Sequence, residues 1–251
     1  MPANKRELKM SKKIASTLLA GLLVGLPVVA AQAEDEEGWW YAGNVTLTSD
    51  YVFRGVSQTD EDPALQSGLE IGHSMGWYAG VWASNVDFDA PDGIDNEVNL
   101  YAGWVFAFAD ESELDVQWVR YIYPGARTGF GINYNELIAT YSFVDYYSAT
   151  VAWTNDFLRT DESAFYFRLG AEVPMGDSEF NLTAGAGYND ISNAAGSDYW
   201  DFQLGVYRSW GMFTADLSYF NTSGYDRDVQ DFLGPKKWAD GRVVLSLSVD
   251  F

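Results

Sequence analysis

The sequence predicts an all-β fold: an antiparallel up-and-down transmembrane β-barrel of about twelve strands, preceded by a cleaved signal peptide. Three observations carry this. Residues alternate apolar and polar with period two in a series of segments, each about 9–11 residues long, the length of a tilted strand crossing a bilayer. Connections alternate between short turns and longer polar loops, as in outer-membrane barrels. The last segment, Gly241 to Phe251, puts Val243, Leu245, Leu247, Val249 and Phe251 on one face and Arg242, Ser246, Ser248 and Asp250 on the other. An apolar edge strand of that kind invites aggregation unless it pairs with the first strand and closes the sheet.

The chain begins with a targeting segment. Lys5, Arg6, Lys9, Lys12 and Lys13 form a basic start, Ile14 to Ala30 is apolar, and Ala31-Gln32-Ala33 is a small-x-small cleavage site. Residues 1–33 are therefore expected to be a signal peptide and residues 34–251 the barrel; translation from Met10 would give a signal of ordinary length. A retained anchor helix fits less well, because the apolar run is short and interrupted by Gly21, Gly25 and Pro27.

Twelve strands follow in order, after an acidic leader from Glu34 to Gly38: 39–49, 64–73, 77–86, 97–108, 113–123, 133–143, 146–154, 163–173, 179–188, 199–208, 212–220 and 241–251, counted as ten or fourteen if an end is misread. Ser74-Met75-Gly76, Ala109 to Ser112, Val144-Asp145, Pro174 to Ser178 and Ser209-Trp210-Gly211 are turns. The longer loops are Asp50 to Pro63, whose first half extends the first strand, then Asp87 to Asn96, Pro124 to Ile132, Asn155 to Glu162, Asn189 to Asp198 and Asn221 to Lys237. The fifth strand slips out of period near Arg120, the mark of a β-bulge. Aromatic residues collect at the ends of the apolar faces, as at Trp77, Phe106, Phe108, Phe143, Trp153, Phe180, Tyr188, Trp200 and Tyr219. That is the placement of interfacial girdles; a soluble β-sandwich or lipocalin-like barrel would use its aromatics as core.

Composition excludes several functions. Fifteen Lys and Arg against thirty-six Asp and Glu give a net charge of −21. Residues 1–33 hold five basic residues and one acidic, so the mature chain carries −25. A nucleic-acid partner is not expected. The chain has no cysteine and needs no disulfide, since a closed hydrogen-bond ladder supplies the stability. No cofactor is expected. The acidic loop from Asp87 to Glu97 lacks the spacing of a calcium loop, and Gly185-Ala186-Gly187 lies within a strand and cradles no phosphate.

The inward face is small and polar, rich in Gly, Ser, Thr, Asn and Gln. The charges on it are Glu70, Glu97, Glu136, Arg168, Glu172, Asp201, Asp216 and Arg242, joined by Arg54 from the first connection; these nine are the candidate pore-lining residues. Acids outnumber bases, which favours cations or neutral solutes if the lumen conducts. The alternative is a static ion-pair network that braces the barrel. A barrel enzyme would use a histidine near the loop-side rim; the single histidine, His73, falls at a short turn, so no catalytic residue is assigned.

The stretch Ser49-Asp-Tyr-Val-Phe-Arg-Gly-Val-Ser-Gln-Thr59, then Asp62 to Gln66, Gly76-Trp-Tyr-Ala-Gly-Val-Trp-Ala-Ser-Asn-Val86 and Glu97-Val-Asn-Leu-Tyr-Ala-Gly103, resembles the TorF family of porins, proteobacterial exported proteins also called Gcw_chp. The likeness extends over the mature chain and is most specific over residues 49–103. It implies an outer-membrane barrel and brings no catalytic residues. Expected partners are outer-membrane lipid, small solutes and the barrel-assembly machinery, whose recognition signal the terminal Phe251 resembles.

Overall fold

A computed structural model describes residues 38–88, 93–144 and 146–251. The expected signal peptide, the leader up to Glu37, loop residues 89–92 and Asp145 lie outside the described residues. The rest is a closed antiparallel barrel of twelve strands, plus a two-stranded hairpin.

The strands are β1 (Trp39–Thr48), β2 (Val52–Phe53), β3 (Val56–Ser57), β4 (Ala64–His73), β5 (Trp77–Asn85), β6 (Asn96–Ala107), β7 (Glu113–Ile122), β8 (Tyr134–Phe143), β9 (Tyr147–Thr154), β10 (Ala164–Pro174), β11 (Phe180–Asp190), β12 (Tyr199–Trp210), β13 (Phe213–Ser223) and β14 (Arg242–Asp250). Each barrel strand pairs with its sequence neighbours, and β1 pairs with β14 to shut the ring. The closing register sets Asn44 against Asp250 and Thr48 against Ser246. Two backbone hydrogen bonds between Gly43 and Phe251, at 2.7 and 2.9 Å, extend it by one pair.

Burial follows the alternation. Leu65, Leu69, Leu204, Leu217, Leu245 and Leu247 point outward and are exposed, whereas Thr46, Gln66, Asn99, Gln203, Ser218 and Ser248 point inward and are buried. A water-soluble barrel would not leave so continuous an apolar belt in water; the pattern is that of a wall facing hydrocarbon. Phe106, Phe108, Trp153, Phe180, Trp200 and Tyr219 lie on this outer face. Phe251 is exposed on the same side, its ring packed over Gly43, where a Cβ would come within 2.7 Å.

Two expectations are corrected. No bulge occurs at Arg120: β6 and β7 pair without interruption from Val98 opposite Ile122 to Ala107 opposite Glu113. The period slipped because Val119 faces the lumen and Arg120 faces out; an outward Arg near a strand end lays its stem along the apolar wall and keeps its head in water. The first half of the segment after β1 does not lengthen that strand but forms the β2–β3 hairpin. Trp238, just ahead of the last strand, lies in a short 3-10 helix, Lys236–Ala239.

The two ends of the barrel differ. One carries the short turns. At the other, the loops build a roof that includes a helix over Arg227–Leu233, whose first N–H groups are capped by Asp226. Phe157, Ile191, Tyr225, Val229 and Trp238 join the buried cluster there.

Candidate functional site: the lumen

Sequence dictates how the first connection enters the barrel. Arg54 and Gly55 adopt φ +48 and +82, both left-handed, between the pairs Phe53–Val56 and Val52–Ser57. Two consecutive left-handed residues make the tight two-residue hairpin turn. Gly55 is needed for a second reason: a Cβ there would meet Thr222 at 2.7 Å and Asp201 at 2.8 Å. Arg54 in this conformation is costly, and such strain persists only where the surroundings hold it.

Those surroundings are the barrel wall on every side. Tyr51 packs edge-on against Trp82 of β5, and Phe53 against Tyr121 of β7. Arg54 donates to Glu136 of β8 at 2.7 Å, and Tyr121 donates to the same oxygen at 3.1 Å. The guanidinium lies 4.3 Å from the ring of Tyr166 on β10, and Tyr199 of β12 donates to the Arg54 carbonyl at 3.1 Å. Val52 packs with Phe220 and Val244 of β13 and β14. The hairpin therefore lies across the lumen in the half nearest the loops.

Its base is held as firmly. Asp50 accepts from Ser57 at 2.7 Å and from Arg242 at 2.7 Å, and Arg242 also lies 3.3 Å from Glu61. At the tip of the same segment, Asp60 meets Lys237 and the Trp238 indole N–H from the roof. The Lys237 ammonium first, and the Trp238 donor second, hold the Asp60 carboxyl below the usual carboxylate range.

Of the nine sequence-derived residues, the structure brings Arg54 and Glu136 together, and Arg168 and Asp201, at 3.3 Å. Asp201 also accepts from Asn189 at 2.9 Å, and Arg168 donates to Gln203 at 2.5 Å. Arg242 reaches Asp50 rather than another of the nine. Glu97 accepts from Asn99 at 2.7 Å and lies 3.5 Å from the Tyr51 hydroxyl. Glu70, Glu172 and Asp216 pair with no cation among the described residues. Glu172 accepts from Tyr207, and Asp216 from Ser218 at 2.8 Å. All three sit within three residues of the turn end of their strands.

Sequence reasoning missed several inward groups. Asp115 accepts from Tyr78 at 2.8 Å; it was obscured by the slip at Arg120, although counting back by twos from Tyr121 reaches it. Asp50 was hidden in a loop without period. The wall itself is less uniform than expected. From β5 to β8 it is aromatic, with Tyr78, Trp82, Tyr101, Tyr121 and Tyr134 all buried, rather than small and polar throughout. From β9 to β11 it carries, beside Tyr166, Arg168 and Glu172 of β10, small residues that are only half-buried: Ser148, Thr150, Gly170, Asn181 and Gly185.

The lumen thus divides by charge. In the loop half Arg54, Arg168 and Arg242 each meet a carboxylate. In the turn half the inward positions carry Glu70, Asp115, Glu172, Asp216 and Asp250, with no Lys or Arg among the described residues there. Among the described residues no group of three or more His, Asp or Glu is arranged to hold a metal ion.

Comparison with solved structures supports the fold. The KdgM porin, solved in complex with disordered oligogalacturonate, superposes with a TM-score of 0.52 at 8% identity, covering 84% of this chain and 98% of that one. The NanC porin in a rhombohedral crystal form gives 0.51 at 9% identity, with 84% and 98% covered. At such identities the likeness establishes the porin-type barrel alone. No curated protein matches the sequence. A bacterial protein family of unknown function, Gcw_chp, matches residues 32–251, and the chain belongs to that family.

Proposed function

We propose that this barrel is a narrow outer-membrane channel for passive diffusion of small solutes, with a preference for cations and neutral molecules over anions. The observation that carries the reading is the surplus of carboxylates on the inward face of a closed barrel, with no inward Lys or Arg among the described residues of the turn half to offset it. Inside a low-dielectric wall such a surplus attracts cations and excludes anions. The half-buried small residues of β9 to β11 supply the side of the lumen with most room. The loops then face outside the cell and the turns the periplasm. The narrower TorF porin assignment belongs to this reading and rests on the stretch from Ser49 to Gly103. So does the assembly machinery as the partner of Phe251. Catalysis has no part in it: His73 lies at the turn end, accepts the Met75 N–H at 3.1 Å and stacks on Trp77.

Planar-bilayer recording under a salt gradient tests the proposal. The expected result is a small conductance whose reversal potential lies on the cation side. No current at any voltage rejects the channel. A second reading, a non-conducting barrel that meets partners through its loops, is favoured by the Arg54 hairpin and the roof above it, which fill the loop half. Current that appears only when the hairpin is released supports that reading instead.

A further inference from the structure

At the barrel seam, three inward side chains on adjacent strands have oxygens without a hydrogen-bond donor. Glu70 of β4 is 5% exposed, and the Tyr101 phenol is a hydrogen-bond neighbour of its carboxylate, which leaves at least one of the two oxygens unpartnered. Asn44 of β1 and Asp250 of β14 are buried as deeply, and Asn44 Oδ1 and Asp250 Oδ1 are also unpartnered. The register makes them neighbours: Asn44 stands opposite Asp250 on one side and Gly68 on the other, and Glu70 follows Gly68 on the same face of β4. Asn44 leans across Gly68, where a Cβ would fall 2.7 Å from Asn44 Oδ1. One unpartnered donor is near, the Trp82 indole N–H, which belongs to the residue facing Gly68 from β5. Acceptors outnumber donors.

Aromatic rings complete the surroundings. Gly80 faces Glu70 across β4 and β5, and the Tyr101 phenol lies over it, 2.4 Å from where a Cβ would be. The Trp40 ring covers Gly72, two residues beyond Glu70. Buried acceptors without donors are costly, and a buried carboxylate without a partner costs most. Paired with the faces of Trp and Tyr rings, they suit a cation that brings its own N–H donors. A divalent metal fits poorly, because Glu70 and Asp250 are only two carboxylates and no larger group surrounds them among the described residues.

We propose that Glu70, Asp250 and Asn44 form a binding site for a small protonated amine, held by hydrogen bonds to the carboxylates and by the rings of Trp40, Trp82 and Tyr101. The proposal rests on the channel reading, naming the class of solute such a lumen retains.

Calorimetric titration of the purified full-length protein in detergent with 1,4-diaminobutane, at constant ionic strength, tests it. The wild type binds saturably. Glu70→Gln binds roughly tenfold or more weakly, the loss expected when a charged hydrogen-bond partner is removed. Asp250→Asn weakens binding as well and stands in if Glu70→Gln does not fold, while Glu179→Gln, on an exposed turn, leaves it unchanged. Equal affinity in both site variants and wild type overturns the site. So does magnesium chloride binding as tightly as the diamine, which would make the site a metal site, and so does absence of saturable heat, which leaves Glu70 holding a proton. Bilayer current separates the two proposals: saturable diamine binding without current keeps the site and removes the channel. Cation current that diamine leaves unchanged in wild type and Glu70→Gln keeps the channel and removes the site.

Discussion

The two halves of the lumen are made from the same alternating strands, yet they bury charge in opposite ways. In the loop half every arginine that enters the barrel finds a carboxylate; two of the pairs tie the inserted hairpin to β8 and β14, and the third joins β10 to β12. In the turn half carboxylates line the wall with hydroxyl and phenol donors but no inward Lys or Arg among the described residues. The difference teaches that the same polar-in, apolar-out pattern can build a clamp at one level and a charged vestibule at the other. Which of the two appears depends on where a handful of basic residues fall.

The largest way to break this contrast is at the clamp. Arg54→Ala leaves Glu136 buried and without its cation, a change that costs about 3–5 kcal/mol when a buried pair loses one partner. Thermal unfolding in detergent should show the loss. The same variant should raise single-channel conductance, because the hairpin loses its tie to β8. Unaltered stability and current together would mean that the hairpin is held by its aromatic contacts alone.

A smaller effect belongs to the vestibule. Glu172→Gln combined with Asp216→Asn removes two of its charges without touching the arginine pairs. The cation-to-anion permeability ratio, read from the reversal potential, should move several-fold toward unity, on the order of 1 kcal/mol. A ratio that stays fixed would place selectivity in the loop half.

The smallest expected effect concerns the latch between hairpin segment and roof. Asp60 has a folded-state pKa below its ordinary value because Lys237, and then Trp238, bind the charged form. A depressed carboxyl adds stability above its unfolded pKa of about 3.9, and that stability is lost as pH falls through the lower folded value. Limited proteolysis of the roof should therefore be unchanged at neutral pH and accelerate only in the acid range. Asp60→Asn should show the accelerated cleavage at neutral pH. Because Asp60 is largely solvated, the effect is modest and salt-dependent.

The strands were legible because the outer surroundings are uniform. Hydrocarbon outside and polar groups inside force a period of two, so all twelve barrel strands, and the facing directions of those with an unbroken period, could be read from residues such as Leu245 and Ser246. The facing of the closing strand was equally legible, since Arg242 and Asp250 had to point inward if Phe251 pointed out. The clamp was not. Arg54 and Glu136 lie 82 residues apart, and nothing local says that a loop residue will cross the lumen. Arg120 misled because an outward arginine near a rim breaks the apolar period without breaking the strand. The inward aromatics were individually visible, but rings such as Tyr78 and Tyr101 lie over glycines on the next strand. That fit needs the register of Gly103 against Tyr78, and of Gly80 against Tyr101, to be seen. The helix over Arg227–Leu233 did have a signal, a capping Asp226 before it and Gly234 after it, within a segment read as loop.

The ring has eleven joints between strands that follow one another along the barrel and one, β1 with β14, between its two ends. The eleven can form as hairpins, each closing a short stretch of chain. The last joins partners as distant as Thr46 and Ser248, 202 positions apart, and has five paired positions where β1 and β4 have ten. Its loop-closure entropy is the largest in the molecule, and its return in hydrogen bonds is among the smallest until all other strands are in place. Assembly is therefore ordered by topology: a sheet with two open edges comes first, and the ring comes last.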